Sequence, residues 1–454
     1  MEKNLTTGSV FKNVIIFSLP YLLSYLLQTL YGMADLYIVG QFDPVSSTTA
    51  VSIGSQVMHM LTVMIVGLAM GATVFIGQSV GGNDKQKTAL GVGNTVSLFM
   101  SVSIVLTIIL IVTVKPIVSV MATPEDAVSG TTDYLTVCFI GIPFITAYNV
   151  ISAIFRGMGD SKSPMWFIAV ACAANVGLDY LFMGALHMGP IGAALGTTLS
   201  QAISVIVSLA VILKRKTGIK LTRAAFKPSR TITGPILKIG IPVALQDGLI
   251  QIAFIVITVI ANNRGLNDSA AVGIVEKIMS FLFLVPSSML STVSALGAQN
   301  IGADKPERAV KTLRYAILLA VGFGIAVSLT VQLVAEPIVA LFTDATTADG
   351  QEVVRLGGQY LRGYVWDCIF AGVHFCFSGY FCAIGKSPIS FLHNFTAIIL
   401  MRIPGVYITS RAFPDTLFPM GLATASGSII SVIICVVAFL IITRRAKKTS
   451  TEKT

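Results

Sequence analysis

Apolar residues run along this chain in blocks of about 20, separated by short polar breaks. A helix rises about 1.5 Å per residue, so one such block crosses the roughly 30 Å of hydrocarbon in a bilayer. The pattern predicts twelve spans, over residues 13–39, 50–76, 89–114, 132–155, 164–184, 190–213, 235–261, 270–297, 310–335, 353–384, 388–411 and 418–443. The expected fold class is an all-α integral membrane protein with twelve transmembrane helices.

Composition narrows the picture. Of 454 residues, 54% are apolar and only 11% are Asp, Glu, Lys or Arg. Mean hydropathy is +0.82. A soluble domain carries about 25% charged residues. So few charges cannot cover a water-facing surface, and lipid must cover most of it. A disordered chain, a disulfide scaffold, a coiled coil and an ordinary cytosolic enzyme are excluded. The six cysteines all sit in apolar runs with no CxxC pair, so neither disulfides nor a zinc site is expected.

The net charge of +10 reads as orientation rather than as a nucleic-acid surface. With both termini cytoplasmic, 24 of the 31 basic residues fall on the inner side. Five fall outside: Lys115, Arg264, Arg355, Arg362 and Arg411. Lys277 and Arg402 lie within spans. The densest inner cluster, Lys214 to Arg230, reads as a topology determinant against anionic lipid. Met1 to Lys12 is polar and the first apolar run is too long for a signal-peptide core, so the first span is expected to be retained. The basic, hydroxyl-rich segment 444–454 reads as a cytoplasmic tail.

An offset of 221 residues aligns several places at once. Val51, Ile53 and Met58 fall on Val272, Ile274 and Met279; Gln78 and Gly81 fall on Gln299 and Gly302; Lys115-Pro-Ile-Val118 falls on Glu336-Pro-Ile-Val339. With small gaps, Pro20 matches Pro242, and Lys162-Ser-Pro164 matches Lys386-Ser-Pro388. The chain therefore reads as a tandem repeat: a first lobe over 1–213, a cytoplasmic linker over 214–234 and a second lobe over 235–443. Each lobe has an even number of spans, so the halves enter the membrane in the same direction, as a parallel repeat does. Two bundles of this kind can rock about a central cavity, which makes transport by alternating access the leading reading.

The repeated inner loops, Gly77–Lys87 and Ala298–Arg308, read as tight turns that cap the next helix. Arg156-Gly-Met-Gly-Asp160 also reads as a turn. Gly385-Lys386-Ser387 fails as a phosphate loop because Tyr380 stands where the first glycine is required. Together with Met33-Ala-Asp35-Leu-Tyr-Ile-Val-Gly40, Phe155–Pro164 and Asn175-Val-Gly-Leu-Asp-Tyr180, these loops make the chain resemble the multidrug and toxic compound extrusion (MATE) family of secondary transporters. The resemblance implies two six-helix lobes around a central cavity. It also implies export of amphiphilic, often cationic compounds in exchange for protons or sodium.

Ionisable groups are costly in lipid, so intramembrane carboxylates are candidates by default. Asp35 lies ~33 Å along the first span from Asn13 and Asp179 lies ~22 Å along the fifth from Pro164. Asn175 is one helical turn before Asp179. Thr197 lies seven residues into the sixth span. All four are expected at one depth in the first lobe. Two carboxylates, an amide oxygen and a hydroxyl suit a hard cation such as sodium. They suit a proton equally, because two adjacent buried acids cannot both stay charged. The family resemblance carries a cation-site role onto Asp35, Asn175, Asp179 and Thr197.

In the second lobe, Asp247, Glu276, Lys277, Asp367 and Arg402 form a candidate polar network, read first as structural ion pairing. Some family members place an acid further along the tenth span, where this chain has Ser378; that departure favours protons over sodium. Gln28, Gln56, Tyr148, Asn149, Gln246, Gln251, Trp366 and His374 are candidates to line the substrate cavity. Pro20, Pro143, Pro242, Pro286 and Pro404 are expected to interrupt helices. No cofactor is expected beyond the coupling ion, and the expected partners are an amphiphilic small molecule and the bilayer, with a plasma-membrane monomer sufficient. A lipid-linked precursor flippase of the same superfamily is the alternative, but only Lys277 and Arg402 are intramembrane cations. An intramembrane enzyme is disfavoured because neither HExxH nor GxSxG occurs.

Overall fold

The computed structural model describes residues 4–214 and 221–451, and among these every regular element is helical. Ten of the predicted spans appear as helices long and apolar enough to cross a membrane. In the first half these are α1 (Val10–Phe42), α2 (Val45–Gly81), α3 (Lys85–Val112), α7 (Lys162–Asp179, extended by a π-helical segment Tyr180–Ala185) and α8 (Gly189–Lys214). In the second they are α9 (Arg230–Asn262), α10 and α11 together (Leu266–Leu282, Leu284–Gly302), α12 (Pro306–Ala340), α15 and α16 around a π segment Ile398–Arg402 (Ser387–Ala397, Ile403–Ala412), and α17 (Phe418–Thr451). A short helix α4 (Val114–Val120) follows α3.

The other two predicted spans, 132–155 and 353–384, are each broken. The first comprises α5 (Glu125–Ile140) and α6 (Ile142–Gly157), bent by 48°. The second comprises α13 (Ala348–Tyr364) and α14 (Asp367–Ala383), bent by 42°. Gly141 and Pro143 explain the first break. Proline removes one backbone donor, and Gly141 lies so close to Thr198 that a Cβ would meet its hydroxyl at 2.6 Å. At the second break the Val365 carbonyl accepts from Cys368 N at 3.0 Å and also from Ser328 Oγ at 3.2 Å, a side-chain bond from a neighbouring helix. The expected interruption occurs at three of the five prolines. Pro143, Pro286 and Pro404 stand within the first three residues of new helices, whereas Pro20 and Pro242 lie inside continuous ones. Two interruptions were anticipated by no candidate proline: the one at Val365–Trp366, and one at Val334 in α12, three residues before Pro337, where the backbone leaves helical geometry.

Residue contacts divide the chain into two compact units: Met1–Ala244 with Ala298–Pro306, and Leu245–Gly297 with Glu307–Thr454. The first has two apolar cores. One gathers Phe75, Phe99, Phe155 and Phe167, and the other Ile38, Val51, Tyr134, Phe139 and Met183. The second unit packs Tyr360, Tyr364, Met279 and Met420. Large apolar side chains point outward from several spans, including Ile108, Ile206, Leu318 and Leu329. A helix apolar all round fits a lipid solvent and loses the one-sided pattern of a soluble helix.

Part of the predicted linker is folded onto the first unit. Residues 215–220, with the basic Arg215, Lys216 and Lys220, lie outside the described residues. Beyond them a 3-10 turn, Arg223–Phe226, sits on α3, where Asn94 Nδ2 donates to Ala225 O at 2.9 Å and Ser97 Oγ to Phe226 O at 2.7 Å.

The repeat is visible in the backbone of the two repeated loops. Asn83 and Asp304, 221 residues apart, both take left-handed backbone angles, with φ of 54° and 55°. Asn83 N donates to Val80 O and Asp84 N to Ser79 O; Asp304 N donates to Ile301 O and Lys305 N to Asn300 O. Both loops are therefore the same helix-ending turn. They also pack on each other reciprocally inside the first unit. A Cβ on Gly81 would strike the carbonyl of Gln299, and one on Gly302 would strike the carbonyl of Gln78. Gln299 completes the arrangement by donating Nε2 to Gly157 O at 3.0 Å and accepting from Leu5 N at 3.3 Å.

Candidate functional site

The first candidate site lies where α1, α7 and α8 meet in the first unit. Helical spacing places Asp35 about seven turns along α1 from its start at Val10, in its last third. Asp179 is the last residue of α7, at the entry to the π segment, and Asn175 lies one turn earlier on the same face. Single π turns inside α-helices are rare and often accompany function. Thr197 comes from α8. Asp35 is 3% exposed, and Asn175 and Asp179 are fully buried.

The four side chains come together. Thr197 Oγ1 donates to Asp35 Oδ2 at 3.2 Å, and Asn175 Nδ2 donates to Asp179 Oδ1 at 3.4 Å. The two carboxyl groups are direct neighbours. Three oxygens in this small volume have no hydrogen-bond donor: Asp35 Oδ1, Asp179 Oδ2 and Asn175 Oδ1. Among the described residues no Lys, Arg or His forms an ion pair with either acid. Burial of an isolated carboxylate costs several kcal/mol even after relaxation, and two side by side cost more. The charge must therefore be met by a proton or by a small cation seated on the three orphan oxygens. No group of three or more His, Cys, Asp or Glu side chains gathers as a metal centre among the described residues, so oxygen ligation of a hard ion is what this donor set offers.

Two further residues shape the site and escaped the sequence reading. Tyr31 stands beside Thr197 and Asp35, one turn before Asp35 on α1; the four-residue spacing was the available signal. Gly196 leaves the space that Asp179 occupies, since a Cβ there would sit 2.0 Å from Asp179 Oδ1. Gly196→Val is expected to push Asp179 out of register, eliminating ion-driven transport at a cost of about 1–3 kcal/mol in stability from overpacking. Transport in vesicles together with thermal melting checks both parts.

The second-lobe candidates do not form one network. Asp367 and Arg402 pair at 2.6 Å with the carboxylate fully buried. Arg402 also donates to Thr424 O at 2.9 Å and to Ser428 Oγ at 3.4 Å. From Ser428 the chain of polar contacts continues to His374 Nε2 at 3.3 Å. His374 stacks edge-on against His393, whose Nε2 meets Ser378 Oγ at 2.9 Å. His393 was missed, because nothing in sequence places residue 393 opposite 378. The other three candidates stand elsewhere. Glu276 accepts from Thr258 Oγ1 at 3.2 Å and Asp247 from Gln246 Nε2 at 3.5 Å. Lys277 is exposed and pairs with no acid among the described residues, because it follows Glu276 directly and a helix turns adjacent side chains about 100° apart.

The cavity candidates scatter by exposure. Tyr148, Asn149, Gln246 and His374 are buried; Gln28, Gln251 and Trp366 are partly so; Gln56 is exposed. Tyr148 donates to Pro164 O at 3.5 Å and Asn149 Nδ2 to Ile145 O at 2.8 Å.

Comparison with known proteins places this geometry in a family. Residues 20–181 and 242–408 match the MatE family. The probable multidrug resistance protein YoeA of Bacillus subtilis (strain 168) is 26% identical over 371 residues, covering 80% of this chain and 79% of the relative. The multidrug export protein MepA of Staphylococcus haemolyticus is 26% identical over 380 residues, covering 84% and 82%. A MATE protein crystallised in complex with MaL6 superimposes with a TM-score of 0.89 at 24% identity, over 99% of each chain. An outward-facing multidrug resistance MATE family transporter superimposes with a TM-score of 0.88 at 23% identity, over 99% of this chain and 98% of that one. At these identities the structural likeness is one of fold. Because the two family regions fall in the two halves of the repeat and together take in most of the sequence, the chain belongs to the MatE family and is a multi-pass membrane transporter.

Proposed function

We propose that the chain is a secondary active antiporter that exports amphiphilic organic cations, drugs among them, in exchange for protons or sodium bound at Asp35 and Asp179. The observation that carries this reading is the buried, adjacent pair of carboxyl groups with orphan oxygens and no basic partner. Such a pair holds an ion only by changing its own charge state or its ligation, which is what coupling to a gradient requires. The acid pair and Tyr31 favour a proton over sodium, since a carboxyl–carboxylate pair can share one without further ligands. In the second unit Asp367 already has an internal cation in Arg402, so its charge is not free to answer an external one. The names of the relatives support drug export as the cargo class.

Asp35 shares α1 with Pro20, whose missing N–H leaves the Ile16 carbonyl without its helical donor. Ion loading at Asp35 biases the bending of α1 about Pro20 and so alternates access to the cargo. The transporter works in the plasma membrane as a monomer, with both termini cytoplasmic and no cofactor besides the coupling ion. Reconstituted vesicles loaded with a fluorescent lipophilic cation test the function directly. An imposed pH or sodium gradient should drive cation movement that stops when an ionophore collapses it. Equal movement with and without either gradient would refute the antiporter.

A further inference from the structure

Arg156 closes α6 on the inner side of the first unit and is only 8% exposed. Its guanidinium carbon lies 4.4 Å from the ring centroid of Tyr21. The charged and titratable groups around it are Tyr21, Tyr25 and Tyr148, with no carboxylate among them. The nearest acid in sequence, Asp160, is engaged by Lys162 N, Ser163 N and Ser163 Oγ at 3.1, 3.1 and 2.6 Å. Neither the guanidinium nor the Tyr21 hydroxyl has a hydrogen-bonding partner within the protein among the described residues. Tyr21 and Arg156 line a cavity together with Met70, Thr73, Asn149 and Ala153.

Two ordinary explanations fall short in magnitude. A cation near a helix C-terminus gains about 0.3–2 kcal/mol from the dipole. Cation–π contact with one ring adds roughly 0.5–2 kcal/mol. A largely buried guanidinium without an acid partner costs several kcal/mol and here has no protein acceptor among the described residues for its five N–H donors. One water would accept two of those bonds and supply no charge. Lining Thr73 spends its donor on Ala153 O and Asn149 one of its two on Ile145 O, so the donors left in the cavity are those of Arg156, Tyr21 and the second Asn149 N–H, with no acid to balance them.

We propose that this cavity is an anion site, in which Arg156 and the Tyr21 hydroxyl hold one small monovalent anion of halide size. The size follows from the cavity, which gives the centre of a water-sized particle about 10 Å³. That is room for about one water-sized particle. Nothing in this inference depends on the ion or cargo assigned above. Tyr21 neighbours Pro20 on α1, so an anion here would lie against the segment proposed to bend.

The purified full chain in detergent provides the test, with chloride replaced by gluconate at constant sodium and ionic strength. Chloride should raise the melting midpoint along a saturable curve, and bromide should do the same. Arg156→Met should weaken the apparent chloride affinity by about tenfold or more. Asp35→Asn should keep the chloride effect, which separates this site from the cation site. If Arg156→Met does not fold, Tyr21→Phe, which keeps the ring and removes the hydroxyl donor, should weaken chloride while preserving its saturable form. Identical melting in chloride and gluconate would overturn the proposal and leave water as the occupant. A chloride shift unchanged in both variants would overturn it as well.

Discussion

Asp35→Asn reduces gradient-driven export to the passive leak while the protein still folds and inserts. The amide keeps the shape of the side chain and can still accept from Thr197 Oγ1, now 3.2 Å from Asp35 Oδ2. It cannot carry the charge that binds and releases an ion. Removing one of two adjacent buried acids also relieves repulsion. Melting should therefore stay within about 1 kcal/mol of the parent or rise. Vesicle transport alongside thermal melting reads out both halves. Undiminished export by this variant would remove Asp35 from the mechanism.

Asp367→Asn has the opposite profile. Here the carboxylate is matched to Arg402 at 2.6 Å, and losing it strands a guanidinium that is 10% exposed. Breaking one side of a buried pair costs about 3–5 kcal/mol, so the variant should melt early and reach the membrane poorly. Replacing both partners with apolar residues, Asp367→Leu with Arg402→Met, should recover most of that loss because no unpaired charge remains. Thermal melting of the two single variants and the pair gives the coupling energy. Additive losses would show that the pair is not a unit.

The contrast between these acids was only half legible in sequence. Hydrophobic length alone defines the twelve spans, because a bilayer demands about 20 apolar residues whatever the neighbouring helices do. Pro143 marks the first of the two breaks in advance, but length cannot show the second, since Val365–Trp366 holds no proline or glycine and Ser328 is brought opposite only by packing. Depth arithmetic along α1, α7 and α8 suffices to gather Asp35, Asn175, Asp179 and Thr197, because straight helices convert residue number into height. Pairing is another matter. Lys277 and Arg402 look equivalent as intramembrane cations, yet only Arg402 faces an acid, and rotation about a helix axis decides that. Arg156 reads as one more inner-side positive charge. Only packing reveals that it is buried against Tyr21 without a counter-charge.

The idea on which the account rests is that cargo displaces an ion from the Asp35–Asp179 pair. Proton release answers it most directly: tetraphenylphosphonium is added to the purified protein in weakly buffered, sodium-free detergent solution containing a pH indicator. The account predicts release of about one proton per chain at neutral pH, absent from the Asp35→Asn, Asp179→Asn double variant. Equal release from the double variant, or cargo binding by the parent that neither liberates protons nor responds to added sodium, would contradict it.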